Sequence, residues 1–150
     1  MKTIEIECAV ARYFNPRINL IVPNISWGLD IHDCDLLVLT QAGYLYEIEI
    51  KTTISDTKRD KTKMHGHQHP KIKRLYFAIP HKIINNAIYH IPPRAGIISC
   101  VEIKDNIYVD IVRQPESNGN YTCTEKEKFQ IARLGALRIW NLKQKLINQK

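Results

Sequence analysis

The stretch YEIEIK, residues 46–51, places two carboxylates and an ammonium at alternate positions. Successive side chains of a strand point to opposite faces. Tyr46, Ile48 and Ile50 then share a core face, while Glu47, Glu49 and Lys51 share the other. Clustered carboxylates repel one another unless positive charge compensates. Lys51 supplies one such charge. A divalent cation would supply more, and Mg²⁺ favours a few carboxylate oxygens together with waters and substrate phosphates. Such an ion lowers the pKa of a bound water and stabilises charge on a phosphoryl group. A lysine beside it orients the nucleophile or helps neutralise the transition state. The chemistry that suits this set is metal-assisted hydrolysis of a phosphodiester.

A second element must bring a further acid to that face. Residues 35–39, DLLVL, read as a strand, and residues 44–51, YLYEIEIK, as its partner. Between them, Gln41-Ala42-Gly43 makes a three-residue loop with glycine at the left-handed position. This register pairs Thr40 with Tyr44 and sets Asp35 opposite Glu49, on the same face. A two- or four-residue loop would shift the pairing by one, so the placement of Asp35 depends on Gly43.

The segment that follows, ISDTKRDKTKMHGHQHP, is polar and basic. Ser55 or Asp56 is the expected cap of a short helix carrying Lys58, Arg59, Lys61 and Lys63. These four read as phosphate contacts rather than as a solvated helix face, because they follow the acidic strand directly. His65, His67 and His69 alternate in a Gly/Pro-containing loop. They read as a mobile basic loop rather than a zinc site, since no cysteine lies nearby in sequence.

Around this centre, residues 3–14 read as a helix with Glu7, Val10 and Phe14 on one face. The IEIE alternation leaves a strand open for its first turn, and Asn15-Pro16 stops it. Pro23 and Gly28 break the next stretch into short extended pieces. Trp27 reads as a core or lid residue. KRLYFAIP, residues 73–80, is a third strand, and HKIINNAIYHI a short helix. GIISCVEI and NIYVDIVR form a hairpin around Lys104-Asp105-Asn106. From Thr124 a long helix runs to about residue 148, opened by a Thr124/Glu127 capping box. Phe129, Ala132, Ala136, Ile139 and Trp140 form its expected packing stripe, with Arg133 and Arg138 toward solvent. Helices bracketing a run of strands imply an α/β or α+β layer arrangement, a mixed sheet covered by helices.

The chain of 150 residues suits one domain with one sizeable core. The start, MKTIEIECAVARYF, has acids where a signal peptide needs an apolar stretch, and no apolar run is long enough to span a membrane. The expectation is a cytoplasmic protein. Cys8, Cys34, Cys100 and Cys123 are scattered, with no CxxC pair, so reduced thiols are expected. The formal charge of +7 favours an anionic partner. Nothing supports a Ser/His/Asp or Cys/His triad beyond the presence of those residue types.

Asp35, thirteen intervening residues and then Glu49-Ile50-Lys51 resemble the D…(D/E)xK signature of the PD-(D/E)XK nuclease superfamily. Glu7 fits the inward glutamate of the helix that precedes that signature. EIEIKTTISDTKRDKTK, then IKRLYFAIP, then IPPRAGIISCVEI, is similar in layout to the small bacterial DNA-repair nucleases of the MmcB type. The similarity spans residues 5–113. It implies a restriction-endonuclease-like mixed sheet flanked by helices, acting as a Mg²⁺- or Mn²⁺-dependent deoxyribonuclease in DNA repair or in a phage or mobile-element context. Asp35, Glu49 and the carbonyl of Ile50 would hold the metal, Lys51 would be the catalytic lysine and Glu7 a supporting acid. Cys34 stands where proline is usual. Glu47 is an extra acid, HGHQHP has no counterpart, and the last helix lies outside the resemblance. The implied partner is DNA, with no membrane. A homodimer with the last helix as its face is one way for so small a nuclease to cut both strands. The alternative is a nucleic-acid-binding module of the same fold that does not cut. A third reading is an assembly protein with a basic surface.

Overall fold

The computed structural model describes residues 1–26, 28–61 and 67–149. Trp27, Lys63 and His65 lie outside the described residues. Helix α1 spans Thr3–Tyr13, so IEIE is helical. The Glu5 carboxylate accepts from the Lys2 backbone N–H at its start, at 2.5 Å. It ends where Asn15 adopts φ +55°, a left-handed conformation that asparagine tolerates, just before Pro16.

Among the described residues six strands follow: β1 (Leu20–Ile25), β2 (Cys34–Leu39), β3 (Leu45–Ile50), β4 (Ile72–Pro80), β5 (Gly96–Ile103) and β6 (Asn106–Arg113). They form one sheet whose spatial order equals their order in the chain. The pairs β1/β2, β2/β3 and β5/β6 are antiparallel, while β3/β4 and β4/β5 are parallel. Pro23 sits within β1, at the sheet edge, where a missing N–H is tolerated. The Lys104-Asp105 turn between β5 and β6 has positive φ at both residues, as a two-residue hairpin of this kind requires. The fold is α+β: a mixed sheet with helices on it, including a long C-terminal one, as the sequence implied.

Helix α2 (Ile54–Asp60) lies in the crossover from β3 to β4. Its cap is Thr53, not Ser55 or Asp56: the Thr53 hydroxyl accepts from the Asp56 N–H at 3.1 Å. The crossover from β4 to β5 is a mixed helical stretch, with tight 3₁₀ turns at His81–Ile83 and Ile88–His90 flanking α3 (Ile84–Ala87).

One face of the sheet packs on α1 through Ile6, Val10, Leu36, Val38, Ile48, Ile50 and Tyr76. The other face carries two separate apolar clusters. One gathers Val22, Leu37, Leu39, Leu45 and Ile72 with Ile131 and Leu134 of α4 (Glu125–Asn148). The other gathers Leu75, Phe77, Ile79 and Ile97 under the helical stretch at 81–91.

Helix α4 begins at the expected box, with Thr124 Oγ1 accepting from the Glu127 N–H at 3.2 Å. Its packing stripe is a different one. Phe129, Ile139 and Trp140 face solvent, with Trp140 65 % exposed, and the helix docks through Ile131 and Leu134. Gly135 lets it approach closely, since a Cβ there would lie 3.3 Å from Val22. Arg138 does not face outward freely: its guanidinium donates to the carbonyls of Pro23 and Asn24. Two sets of apolar residues on α4 have helical spacing, and periodicity alone does not say which one meets the sheet.

Candidate active site

The hairpin register is the one Gly43 implies. Gly43 has φ +87°, and Thr40 N–H donates to the Tyr44 carbonyl at 2.9 Å. The ladder runs Leu39 with Leu45 to Leu36 with Ile48, so Asp35 and Glu49 are the next opposed positions. The Asp35 carboxylate accepts from the Ile50 backbone N–H at 2.7 Å, which fixes it at the end of β3. Asp35, Glu49 and Lys51 line one cleft of about 230 Å³ together with Asn24, Asp33 and Cys34.

Lys51 is buried, and its ammonium bridges two carboxylates, Glu49 at 2.6 Å and Asp60 at 2.9 Å. Burial alone would lower its pKa, but these two partners outweigh that and hold it above the usual lysine value. Lys51 is therefore a fixed ammonium. Glu49 is raised instead: burial and the nearby Asp35 charge push it up against the pull of Lys51. Glu7 on α1 is raised for similar reasons, burial first and then Asp35. Glu7 does not line the Asp35 cleft. It lines an adjoining groove of about 720 Å³ between α1 and α4, and Asn24 borders both.

Glu47 is completely buried, with Leu37 beside it on β2 and Leu75 on β4. Its carboxylate binds His32 Nε2 at 2.6 Å and His67 Nδ1 at 2.6 Å. Burial would raise its pKa, and the two imidazoles overcome that and hold it below the ordinary range. His67 continues the chain of contacts, its Nε2 lying 2.5 Å from Asp60. A connected series thus runs His32, Glu47, His67, Asp60, Lys51, Glu49, with acids and bases in alternation.

The expected mobile loop is accordingly corrected at His67. That residue is buried and held by two carboxylates, because Glu47 and Asp60 need positive charge there. Burial would lower its pKa, but Asp60 and Glu47 raise it to about 9. His69 is nearer the surface and accepts from the Lys71 N–H through Nδ1 at 3.2 Å. Sequence reasoning passed over His32 and Asp60 altogether. One signal was available for Asp60: three positions after Thr57, it shares the inward face of α2, and both are buried.

The basic residues of the crossover are exposed where described. Arg59 pairs with Asp56, and the Lys61 ammonium donates to the Tyr89 carbonyl at 2.9 Å. Lys58 is exposed on the same helix. The four cysteines are free, and all but Cys8 are buried. Among the described residues, no helix is long and apolar enough to cross a membrane.

A family profile described as DNA repair protein MmcB-like matches residues 2–146. The chain belongs to the MmcB-like family. The match takes in the last helix, so α4 is part of the family's extent rather than an appendage. Among solved structures, the MmcB-like chain resembles the SPO1766 protein of unknown function from Silicibacter pomeroyi, with TM-score 0.67 and 16 % identity over 99 % of this chain and 93 % of that one. At that identity the likeness concerns the fold. No curated protein sequence matches.

Proposed function

We propose that this MmcB-like protein is a metal-dependent nuclease of PD-(D/E)XK type that hydrolyses DNA phosphodiester bonds, in keeping with the DNA-repair description of its family. The observation that carries the reading is the cleft where Asp35, Glu49 and the buried ammonium of Lys51 meet. The donor set fits a hard divalent cation, Mg²⁺ or Mn²⁺. Asp35 and Glu49 offer carboxylate oxygens at one cleft, and the Asp35 charge raises Glu49, a repulsion that a bound cation would relieve. Asp35, Glu49 and the Ile50 carbonyl would hold the ion. It would polarise a phosphoryl oxygen and make a bound water acidic.

The chain's own residues have separate tasks. The Ile50 N–H holds Asp35 in place. Glu49 and Asp60 hold Lys51 Nζ from two sides, so its charge is positioned before the substrate arrives. There the ammonium stabilises the charge that develops on the phosphoryl oxygens and fixes the attacking water. Glu7, with its raised carboxyl, is a supporting acid reached from the adjoining groove. Lys58, Arg59, Lys61 and Lys63 are proposed as contacts to the DNA backbone.

The test is incubation of purified protein with plasmid and single-stranded DNA, with Mg²⁺, Mn²⁺ or chelator, beside Lys51→Ala. Cleavage that requires metal and disappears in Lys51→Ala supports the nuclease. If the wild type cuts no substrate and Lys51→Ala still binds DNA equally well, the non-cutting module takes its place.

A further inference from the structure

Three groups near the catalytic cleft have no task in that reading: His32, Glu47 and His67. Glu47 stands in the middle of the sheet, fully buried between Leu37 and Leu75. A leucine there would serve the fold at less cost, because a buried carboxylate must be compensated. The compensation is specific. One nitrogen from each of two imidazoles meets the carboxylate, and the three donor groups lie within 4.8 Å of one another. They come from three separate segments: the loop before β2, strand β3 and the loop before β4.

A second observation points to a metal. His67 presents Nδ1 to this cluster and turns Nε2 to the Asp60 carboxylate at 2.5 Å. Metal-binding imidazoles characteristically donate their other N–H to a carboxylate, which fixes tautomer and ring orientation. The ring is further held edge-on by Phe77, with centroids 5.7 Å apart. His32 is the less deeply buried of the two, its side chain 9 % exposed against 2 % for His67, and the His69 ring centroid lies 6.2 Å from its own.

We propose that His32, Glu47 and His67 bind a divalent transition-metal ion of the zinc type, at a site that adjoins the Asp35–Glu49 pair, with His67 Nδ1 3.9 Å from the Glu49 carboxylate, but that does not draw on Asp35. Two imidazole nitrogens and one carboxylate suit Zn²⁺ or Co²⁺, which accept mixed N/O ligands and leave a position for water. Mg²⁺ prefers oxygen donors throughout. The ion takes the place of the positive charge that protons otherwise supply among these groups. It ties the loop that bears His67 to the sheet. Through Asp60 it steadies the lysine of the neighbouring cleft.

The experiment uses the full chain, stripped with chelator and then given Zn²⁺ or Co²⁺ in excess Mg²⁺. Bound metal is counted by elemental analysis, and Co²⁺ is read by its visible absorption. The expected result is one ion per chain, with a Co²⁺ spectrum typical of few-coordinate nitrogen and oxygen ligation. Asp35→Asn leaves binding unchanged, which separates this site from the nuclease cleft. His32→Gln abolishes the spectrum, and circular dichroism confirms that this variant, altered at its more exposed ligand, stays folded. Asp60→Asn weakens affinity by about 10- to 100-fold, as removal of such a supporting carboxylate does. A folded wild type that takes up no Co²⁺ overturns the proposal. So does binding that survives His32→Gln or vanishes in Asp35→Asn. The cluster is then held together by protons alone.

Discussion

Asp60→Asn tests whether the charged series is a unit. Asp60 closes α2 and is buried, with Lys51 Nζ at 2.9 Å on one oxygen and His67 Nε2 at 2.5 Å on the other. Asparagine keeps the shape and removes the charge. Removing one partner of a buried ion pair costs about 3–5 kcal/mol, because the other charge stays buried. Lys51 keeps Glu49 and His67 keeps Glu47, so the expected loss is about 3 kcal/mol, at the low end. For a chain of this size each kcal/mol lowers Tm by about 2–4 °C, giving a fall of about 6–12 °C. The assay is thermal unfolding in chelator, followed by circular dichroism. The pH dependence supplies a second reading. His67 is raised to about 9 in the folded chain and returns to about 6.5 when unfolded. Its stabilisation is therefore complete below pH 6.5 and is lost as pH rises through 9. The wild-type Tm should fall across that interval, and the Asp60→Asn Tm should fall less. A variant that melts within about 2 °C of wild type, or a wild-type Tm that is flat from pH 6.5 to 9, would refute the reasoning.

Two further substitutions probe the packing. Leu134→Ala on the buried side of α4 should cost about 2–5 kcal/mol, while Trp140→Ala should change stability by no more than about 0.5 kcal/mol; urea denaturation of the two variants checks which stripe docks. Gly96→Ala would set a Cβ 2.7 Å from Tyr76 Cδ1 and 3.0 Å from Pro115. It should destabilise by about 1–3 kcal/mol through overpacking, read as a lowered denaturation midpoint.

Local rules made the hairpin legible. Gly43 demanded a left-handed turn, the turn set the register, and the register set Asp35 against Glu49. Each step links residues that are near in sequence. The Thr124/Glu127 box was legible for the same reason. His32 and His67 were not, since they lie 15 and 20 residues from Glu47 and meet it only through the crossover and the approach to β2. The α4 stripe was misread because helical spacing is satisfied twice on that helix. What decides between the two is the position of Val22 across from Gly135, a tertiary fact. Thr53 stands two positions before Ser55 and three before Asp56; all three have a side chain able to cap, so residue type alone does not choose among them.

The sheet's spatial order repeats its chain order, so each strand that emerges during synthesis finds its neighbour already made. Pairing between sequence neighbours closes short loops and favours rapid assembly. The β2/β3 hairpin can therefore form while the rest of the chain is still unmade, with Asp35 and Glu49 already opposed. At that stage Glu47 and Glu49 have neither Asp60 nor His67 beside them, and nothing yet covers the edge of β3 where β4 will pair. The arrival of residues 60–80 does two things at once: it adds β4 and it delivers His67, which joins His32 on the buried Glu47. Completion of the sheet and completion of the charge balance are one event in the birth of the molecule.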